Sequence, residues 1–338
     1  MSTAPAEAKR PKLASSGGLV THSGTFHADE ALAVHLLRKL PEFKEMPLTR
    51  TRDPQIINDA HIVVDVGAEY APERRRYDHH QRGFEEVFDA EHKTKLSSAG
   101  LVWKHYGPSI LSAHLSLPTS DPTIALLHAK LYDDFIEAID GIDNGIPQYS
   151  GVPAAYKSRT DLSSRVGHLN PRWNENTSPE DQDARFEKAS LLAGTEFFER
   201  VDYAVQAWLP ARQVVIDALE ARNTLSGDAR ILLFEGYASW KEHLFTLEAS
   251  REHTAPGEVI YVVYPDESGK WRVQAVPESP DSFVSRKALP EEWRGVRDDK
   301  LSEVSGIEGC VFVHASGFIG GNASREGALK MAKRGLEA

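Results

Sequence analysis

Short apolar runs alternate with helix-length segments through the first half of the chain. This alternation limits the fold more than any other feature. Leu19-Val20-Thr21 and Ile62-Val63-Val64 are near-continuous apolar runs, the pattern of strands buried on both faces. Between them a helix is predicted from Ala28 to Leu40, ended by Pro41. Another is predicted from Ser97 to Tyr106, stopped by Gly107-Pro108. A third opens at Asp121-Pro122, with Asp as N-cap and Pro in the first turn, and runs to Asp140. Strands alternating with helices imply an α/β domain with a mostly parallel sheet.

Helical segments at 183–207 and 210–222, punctuated by Pro210, separate this region from a second set of strands. Those strands are predicted at Ile231–Phe234, Val259–Tyr264, Trp271–Ala275 and Cys310–His314, followed by a helix from Ser324 to Arg334. The expected organisation is a disordered tail at 1–17, an N-terminal α/β domain at 18–206 and a smaller C-terminal α+β domain at 207–338. A chain of 338 residues is long enough for two domains, and 41% hydrophobic residues suffice for their cores. Within the tail, Lys9-Arg10-Pro11-Lys12 fits either a nuclear localisation signal or a solubilising cluster.

Cys310 is the single cysteine, which excludes intrachain disulfides, iron–sulfur clusters and cysteine-based zinc sites. A reducing compartment is expected. No apolar run reaches the ~18 residues of a membrane helix, and the first residues lack the apolar segment of a secretory signal. A net charge of −11 argues against a basic nucleic-acid coat protein. It is compatible with an enzyme of phosphate esters whose carboxylates hold metal ions, because the metals supply positive charge locally.

Acidic and histidine residues cluster where strands and helices end. His22-Ser23-Gly24-Thr25-Phe26-His27-Ala28-Asp29-Glu30 links the first strand to the first helix. Asp65 ends Ile62–Val64, Asp78-His79-His80 follows, and Asp140-Gly141-Ile142-Asp143-Asn144-Gly145 ends a helix. Ligands of open α/β sheets bind beyond the carboxyl ends of the strands, where such groups converge. Imidazole with carboxylate suits Mn²⁺, Mg²⁺ or another divalent cation. A lone Asp at a strand end is more often a cap, and a lone His more often surface. The joint order of the four clusters carries the signal.

That order resembles the DHH phosphoesterase superfamily, named for the triplet that here is Asp78-His79-His80. The closer resemblance is to the eukaryotic Myg (melanocyte proliferating gene) family within it. The phrases that carry it are Thr21-His22-Ser23-Gly24-Thr25-Phe26-His27-Ala28-Asp29-Glu30-Ala31, Tyr77-Asp78-His79-His80-Gln81 and Ser97-Ser98-Ala99-Gly100-Leu101-Val102-Trp103. Ile139-Asp140-Gly141-Ile142-Asp143-Asn144-Gly145 and Phe312-Val313-His314-Ala315-Ser316-Gly317-Phe318-Ile319-Gly320-Gly321-Asn322 complete it. The resemblance covers residues 19–336. It implies a catalytic DHH domain with a C-terminal substrate-binding domain, and a metal-dependent phosphodiesterase acting as a 3′→5′ exonuclease on single-stranded RNA. The implied cofactors are two divalent cations, Mn²⁺ or Mg²⁺.

The implied metal ligands are His22, Asp29, Asp65, His79 and Asp140, with Asp65 shared between two ions. The first motif is one residue longer than usual, and His27 stands where an Asp is expected, so His27 joins the ligands. His80 is expected near the scissile phosphate, and Asp78 orients its neighbours. The implied substrate contacts are Arg286, His314, Gly320, Gly321 and Asn322. Gly317-Phe318-Ile319-Gly320-Gly321-Asn322 is expected to be a glycine-rich loop whose backbone N–H groups approach an anion. Ser285-Arg286-Lys287 resembles a phosphate-binding triplet of manganese pyrophosphatases, and a solvated basic turn is the alternative. Arg74-Arg75-Arg76 is either a solvated face or a guide for a phosphate backbone. Trp103, Trp208, Trp240, Trp271 and Trp293 are expected in packing.

A manganese pyrophosphatase or small-phosphate hydrolase is the first alternative activity, and a non-catalytic RNA- or nucleotide-binding regulator the second. The expected partner is single-stranded RNA or an oligonucleotide, not a membrane, and a homodimer is compatible with it. Nucleus, mitochondrion or both are the expected locations, with the cytosol left open.

Overall fold

The computed structural model describes residues 17–149 and 151–338. The basic cluster Lys9–Lys12 and the tail before Gly17 lie outside the described residues. The chain divides into two compact units, one ending at Asp202 and the other beginning at Tyr203. Both are mixtures of helix and sheet, each built around its own five-stranded sheet.

In the first unit, β1 (Leu19–Thr21), α1 (Ala28–Leu37), β2 (Leu48–Arg50), α2 (Pro54–Asp59) and β3 (Ile62–Val64) follow in alternation. β4 (Tyr70–Ala71) and β5 (Arg76–Tyr77) complete the sheet in the order β2-β1-β3-β5-β4. All pairings are parallel except that of β4 with β5. The parallel register sets Leu19 beside both Leu48 and Ile62, so β1 and β3 end together. β1 and β3 are buried throughout, as their unbroken apolar runs require. α1 is buried around nearly its whole circumference, including Asp29 and Glu30 in its first turn. A helix apolar on all sides belongs in an interior; two carboxylates there need a purpose.

α3 (Ser98–Leu115) runs straight through Gly107-Pro108, where the sequence predicts a stop. An internal proline costs about 3 kcal/mol or more in a helix. Buried Trp103, Ile110 and Leu111 on both sides of it supply the packing that carries the helix through. Gly107 is needed there because any Cβ would strike the His128 ring. α4 (Pro122–Leu131) opens as expected, with Asp121 accepting from the Thr123 N–H at 2.8 Å. It does not end at Asp140. A π turn at Tyr132–Ile136 leads into α5 (Glu137–Asp143), which carries the chain one turn further. α6 (Leu162–Gly167) and α7 (Pro179–Tyr203) follow.

The second unit continues through a π turn at Ala204–Trp208 into α8 (Leu209–Leu225), where Pro210 sits in the first turn, a position that tolerates proline. β6 (Ile231–Leu233), α9 (Trp240–Ser250), β7 (Tyr261–Pro265), β8 (Trp271–Ala275), α10 (Asp298–Ser305), β9 (Cys310–Val313), β10 (Ile319–Asn322) and α11 (Arg325–Glu337) complete it. The strand order is β6-β7-β8-β10-β9, with only β6 and β7 parallel. One face packs Tyr261, Val263, Val273, Met331 and Ala332; the other packs Leu232, Val262, Trp240 and Leu247. Among the described residues no helix is long and apolar enough to cross a membrane.

Candidate metal centre

The ends of β1 and β3 open into a cleft of about 1560 Å³ in the first unit. His22 leaves β1, and the loop that follows is fastened on several sides. Arg50 donates to the Gly24 carbonyl at 2.6 Å, and Asn170 exchanges hydrogen bonds with both the N–H and the carbonyl of Phe26. The His27 N–H donates to both carboxylate oxygens of Glu30, at 2.9 and 3.0 Å, closing the N-terminus of α1. Asp29 thus lines the cleft on a buried helix start, with Glu30 buried next to it.

Asp65 follows β3 with φ of +57°, a left-handed conformation uncommon for any residue but glycine. Ser98 Oγ donates to Asp65 Oδ1 at 3.1 Å. His22 Nε2 lies 3.3 Å from Asp65 Oδ2 and 3.1 Å from Glu30 Oε1. His79 Nε2 lies 3.5 Å from Asp65 Oδ1 and 3.1 Å from Asp143 Oδ2. His80 contacts Asp78 Oδ1 through Nδ1 at 2.6 Å, and Asp78 Oδ2 accepts from the Ala68 N–H at the same distance. The His80 side chain is 59% exposed, whereas those of His22 and His79 are buried.

Three groups of side chains can each converge on one cation: His22, His27, Glu30 and Asp65; Asp65, His79 and His80; and His27, Asp29 and Asp143. Asp65 and His27 each belong to two groups, so the groups form one connected centre.

Charge is distributed unevenly within it. Burial opposes the protonated form of His22, but the hydrogen bonds of Asp65 and Glu30 outweigh it and raise its pKa to about 10. Burial likewise opposes protonation of His79, and Asp143 and Asp65 raise it to about 10. The Asp65 carboxyl is pushed up by burial but held far below the usual range by His22 and His79. His80 is raised chiefly by its hydrogen bond to Asp78. Asp29 is the exception. It is fully buried, neither oxygen has a hydrogen-bond partner, and burial followed by the charges of Asp65, Asp143 and Glu30 holds its pKa well above normal. An unpartnered buried carboxylate is costly, and its nearest companions are ligand types. Divalent cations fit this donor set.

Comparison with known proteins agrees with the motifs. A family model, MYG1_exonuc, described as an uncharacterised protein family (UPF0160), matches residues 18–336. The chain belongs to the MYG1 family. A "MYG1 protein" of Dictyostelium discoideum is 49% identical over 319 residues, covering 94% of this chain and 96% of the relative. A "MYG1 exonuclease" of Homo sapiens is 46% identical over 341 residues, covering 99% and 90%. A "MYG1 protein" of Saccharomyces cerevisiae is 44% identical over 336 residues, covering 97% and 98%.

In this MYG1 chain the cleft brings together His22, His27, Asp29, Asp65, Asp78, His79 and His80. Asp140 is not among them. Its Oδ1 accepts from the Ser97 N–H, Ser97 Oγ and the Gly100 N–H at 2.9, 2.7 and 3.1 Å, and its Oδ2 from Tyr132 at 3.1 Å. A Cβ at Gly100 would collide with that carboxylate. Asp140 is therefore a buried fastener of the start of α3, and Asp143, one helical turn on, faces His79 instead. Asp143 and Glu30 have no role in the sequence reading. A same-face spacing of three from Asp140, and the position three after His27, were the available signals.

The second unit departs further. Arg286 pairs with Glu248 at 2.6 and 2.7 Å, donates to the Val259 carbonyl and lies over the Phe245 ring; it is a buried structural ion pair. Gly320, Gly321 and Asn322 form β10, not a loop. A Cβ at Gly320 would lie 3.0 Å from Leu289 and Val313, so both side chains would have to give way to a larger residue. Buried Asn322 donates to the Glu308 carbonyl and accepts from the Ser324 N–H, both at 2.9 Å. His314 is exposed and bonded to Ser316. In the Arg74–Arg76 run, Arg74 pairs with Glu69, Arg75 with Glu42, and Arg76 is spent on backbone carbonyls. Trp103, Trp208, Trp240 and Trp293 are buried.

Proposed function

We propose that this chain is a metal-dependent phosphodiesterase of the DHH superfamily that degrades single-stranded RNA from its 3′ end. The observation that carries the reading is Asp29: two buried, unpartnered carboxylate oxygens beside His27 and Asp143. The mammalian relatives that bear the name exonuclease support a nuclease. His22, His27, Glu30 and Asp65 would hold one divalent cation, with Asp29, Asp65, His79 and Asp143 beside the other. When bound, the cations supply Lewis acidity, which stabilises charge on the phosphoryl oxygens and lowers the pKa of water.

The remaining work belongs to the chain. Asp78 fixes Nδ1 of His80 and favours its protonated form, leaving Nε2 to donate a proton toward the departing oxygen or to offset charge on phosphorus. Asp65 keeps both buried histidines oriented. Arg52 and Lys95 line the same cleft and supply cations for the substrate's phosphates. Substrate capture by Arg286 and a glycine loop is not part of this reading, because those groups are committed to the fold.

The test offers RNA labelled at either end, and pyrophosphate, with Mn²⁺. Hydrolysis of RNA that releases a 3′ label as a mononucleotide first, lost on chelation and reduced by several orders of magnitude in Asp65→Asn and His79→Ala, is expected. Preference for pyrophosphate, or full activity after exhaustive chelation, refutes it.

A further inference from the structure

The rim of this cleft presents groups that the metal centre does not use. Between α5 and α6 none of the described residues from Asn144 to Asp161 is in helix or strand, and both ends belong to the cleft. Ile142, Asp143 and Asn144 line it at one end, and Ser158 and Asp161 at the other. Connections of this length are uncommon in compact domains and are often functional. Residues 145–149 and 151–160 are all exposed. The stretch nevertheless carries Ile146, Tyr149, Val152 and Tyr156, with Tyr149 63% and Tyr156 80% exposed. Large apolar groups gathered on a surface mark a contact site. Lys157 and Arg159 flank cleft-lining Ser158, and among the described residues neither side chain has an ion pair or hydrogen bond. Arg38, Arg165 and Arg185 in the same unit are all paired with glutamates.

We propose that Tyr149, Tyr156, Lys157 and Arg159 form a docking strip for single-stranded nucleic acid, which delivers the strand end to the cleft. The proposal rests on the reading of the cleft as a nuclease site. Exposed aromatic rings and unpaired cations on one connection match the bases and phosphates of a strand, and stacking works with every base. The guanidinium of Arg159 fits a phosphate in two-point fashion. Charge favours such a strip: Asp29, Asp65, Glu69, Asp78, Asp143 and Asp161 line the cleft beside Arg52 and Lys95, so further cations at its rim would help to draw in a polyanion.

The experiment measures fluorescence anisotropy of a labelled single-stranded RNA oligomer with the full chain, in chelator so that no turnover intrudes. Hydrolysis of the p-nitrophenyl ester of thymidine monophosphate with Mn²⁺ is the companion assay, since this ester has a single base and a single phosphate and offers the strip no strand to hold. Tyr156→Ala should weaken RNA binding about five- to hundredfold, the range of one lost base stack. Lys157→Ala with Arg159→Ala should reduce the slope of log affinity against log salt by about 1.4, from ~0.7 per phosphate contact on a single strand. Loss confined to RNA supports the strip. Unchanged affinity and slope overturn it and leave the aromatics to a protein partner; an equal loss on the ester overturns it as damage to the cleft. Wild-type chain that binds RNA through these residues but cleaves neither substrate upholds the strip and refutes the nuclease reading.

Discussion

Metal binding to this cleft should expel about two protons, and the number follows from the hydrogen bonds. His22 sits between Glu30 and Asp65, and His79 between Asp143 and Asp65, at 3.1–3.5 Å. Against the cost of burial these carboxylates raise both rings from 6.5 to about 10. At pH 8 each ring therefore carries a proton in the metal-free protein. A divalent cation accepts only the neutral ring, so both protons must leave. Each proton contributes a factor of ten in affinity per pH unit, so apparent Mn²⁺ affinity should rise ~100-fold per unit between pH 7 and 9. Calorimetric titration of Mn²⁺ in buffers of different ionisation enthalpy yields the proton number directly. His22→Gln should lower it by about one. A count near zero at pH 8, or the same count in His22→Gln, would refute the assignment of these rings as ligands.

The same shifts govern the metal-free fold. The stability contributed by His22 and His79 is complete below pH 6.5 and lost toward pH 10, while that from the depressed Asp65 is present above 3.8 and lost in acid; denaturant melts across pH should fall on both sides, and a flat profile above pH 6.5 contradicts the pairing. Asp140→Ala should cost on the order of 3 kcal/mol by stranding buried donors, with Mn²⁺ affinity retained, whereas Asp143→Ala should do the reverse; calorimetry and denaturation together separate them. Arg286→Ala should lower stability by about 3–5 kcal/mol, because it leaves Glu248 charged and buried. Its RNA affinity, measured where the variant is folded, should match wild type.

What the sequence discloses and what it hides divide along a physical line. β1 and β3 are legible because an unbroken apolar run has few alternatives to a doubly buried strand, and β8 coincides with its expected ends. His22 and Asp65 are legible as cleft residues for a related reason: they directly follow β1 and β3, at the end where a parallel sheet gathers its ligands. Asp140 and Asp143 share one helical face, and their choice is made elsewhere, by Ser97, Gly100 and Tyr132. Arg286 finds Glu248 on α9, a helix that the sequence reading does not include. Gly320 and Gly321 look like a loop because glycine is rare in strands, yet Leu289, Val313 and Arg272 crowd the space their side chains would need. The misplacements of Asp140 and Arg286 concern partners distant in sequence, which periodicity and local propensity do not encode, whereas Glu30, three residues from His27, carried a local signal.

Asp65 shows how the backbone serves this centre. Its N–H still belongs to the sheet, donating to the Tyr77 carbonyl at 3.1 Å, but its own φ of +57° turns the chain away at once. Gly67 and Ala68 also have positive φ, at +99° and +51°. This turn carries the Ala68 N–H to Asp78, which holds His80. One strained turn thus sets the shared carboxylate and the orientation of the exposed histidine together. Left-handed backbone costs roughly 1–2 kcal/mol for most residues, and Asp and Asn bear it most readily. The two roles can be parted experimentally. Asp65→Asn keeps the backbone preference and removes the charge, while Asp65→Ala removes both. Both variants should lose metal binding and turnover, and the alanine variant should be the less stable by roughly 1–2 kcal/mol in chemical denaturation without metal. Equal stability of the two would mean that the turn stores no strain at Asp65, and that its geometry is set wholly by Ser98, Asp78 and the sheet.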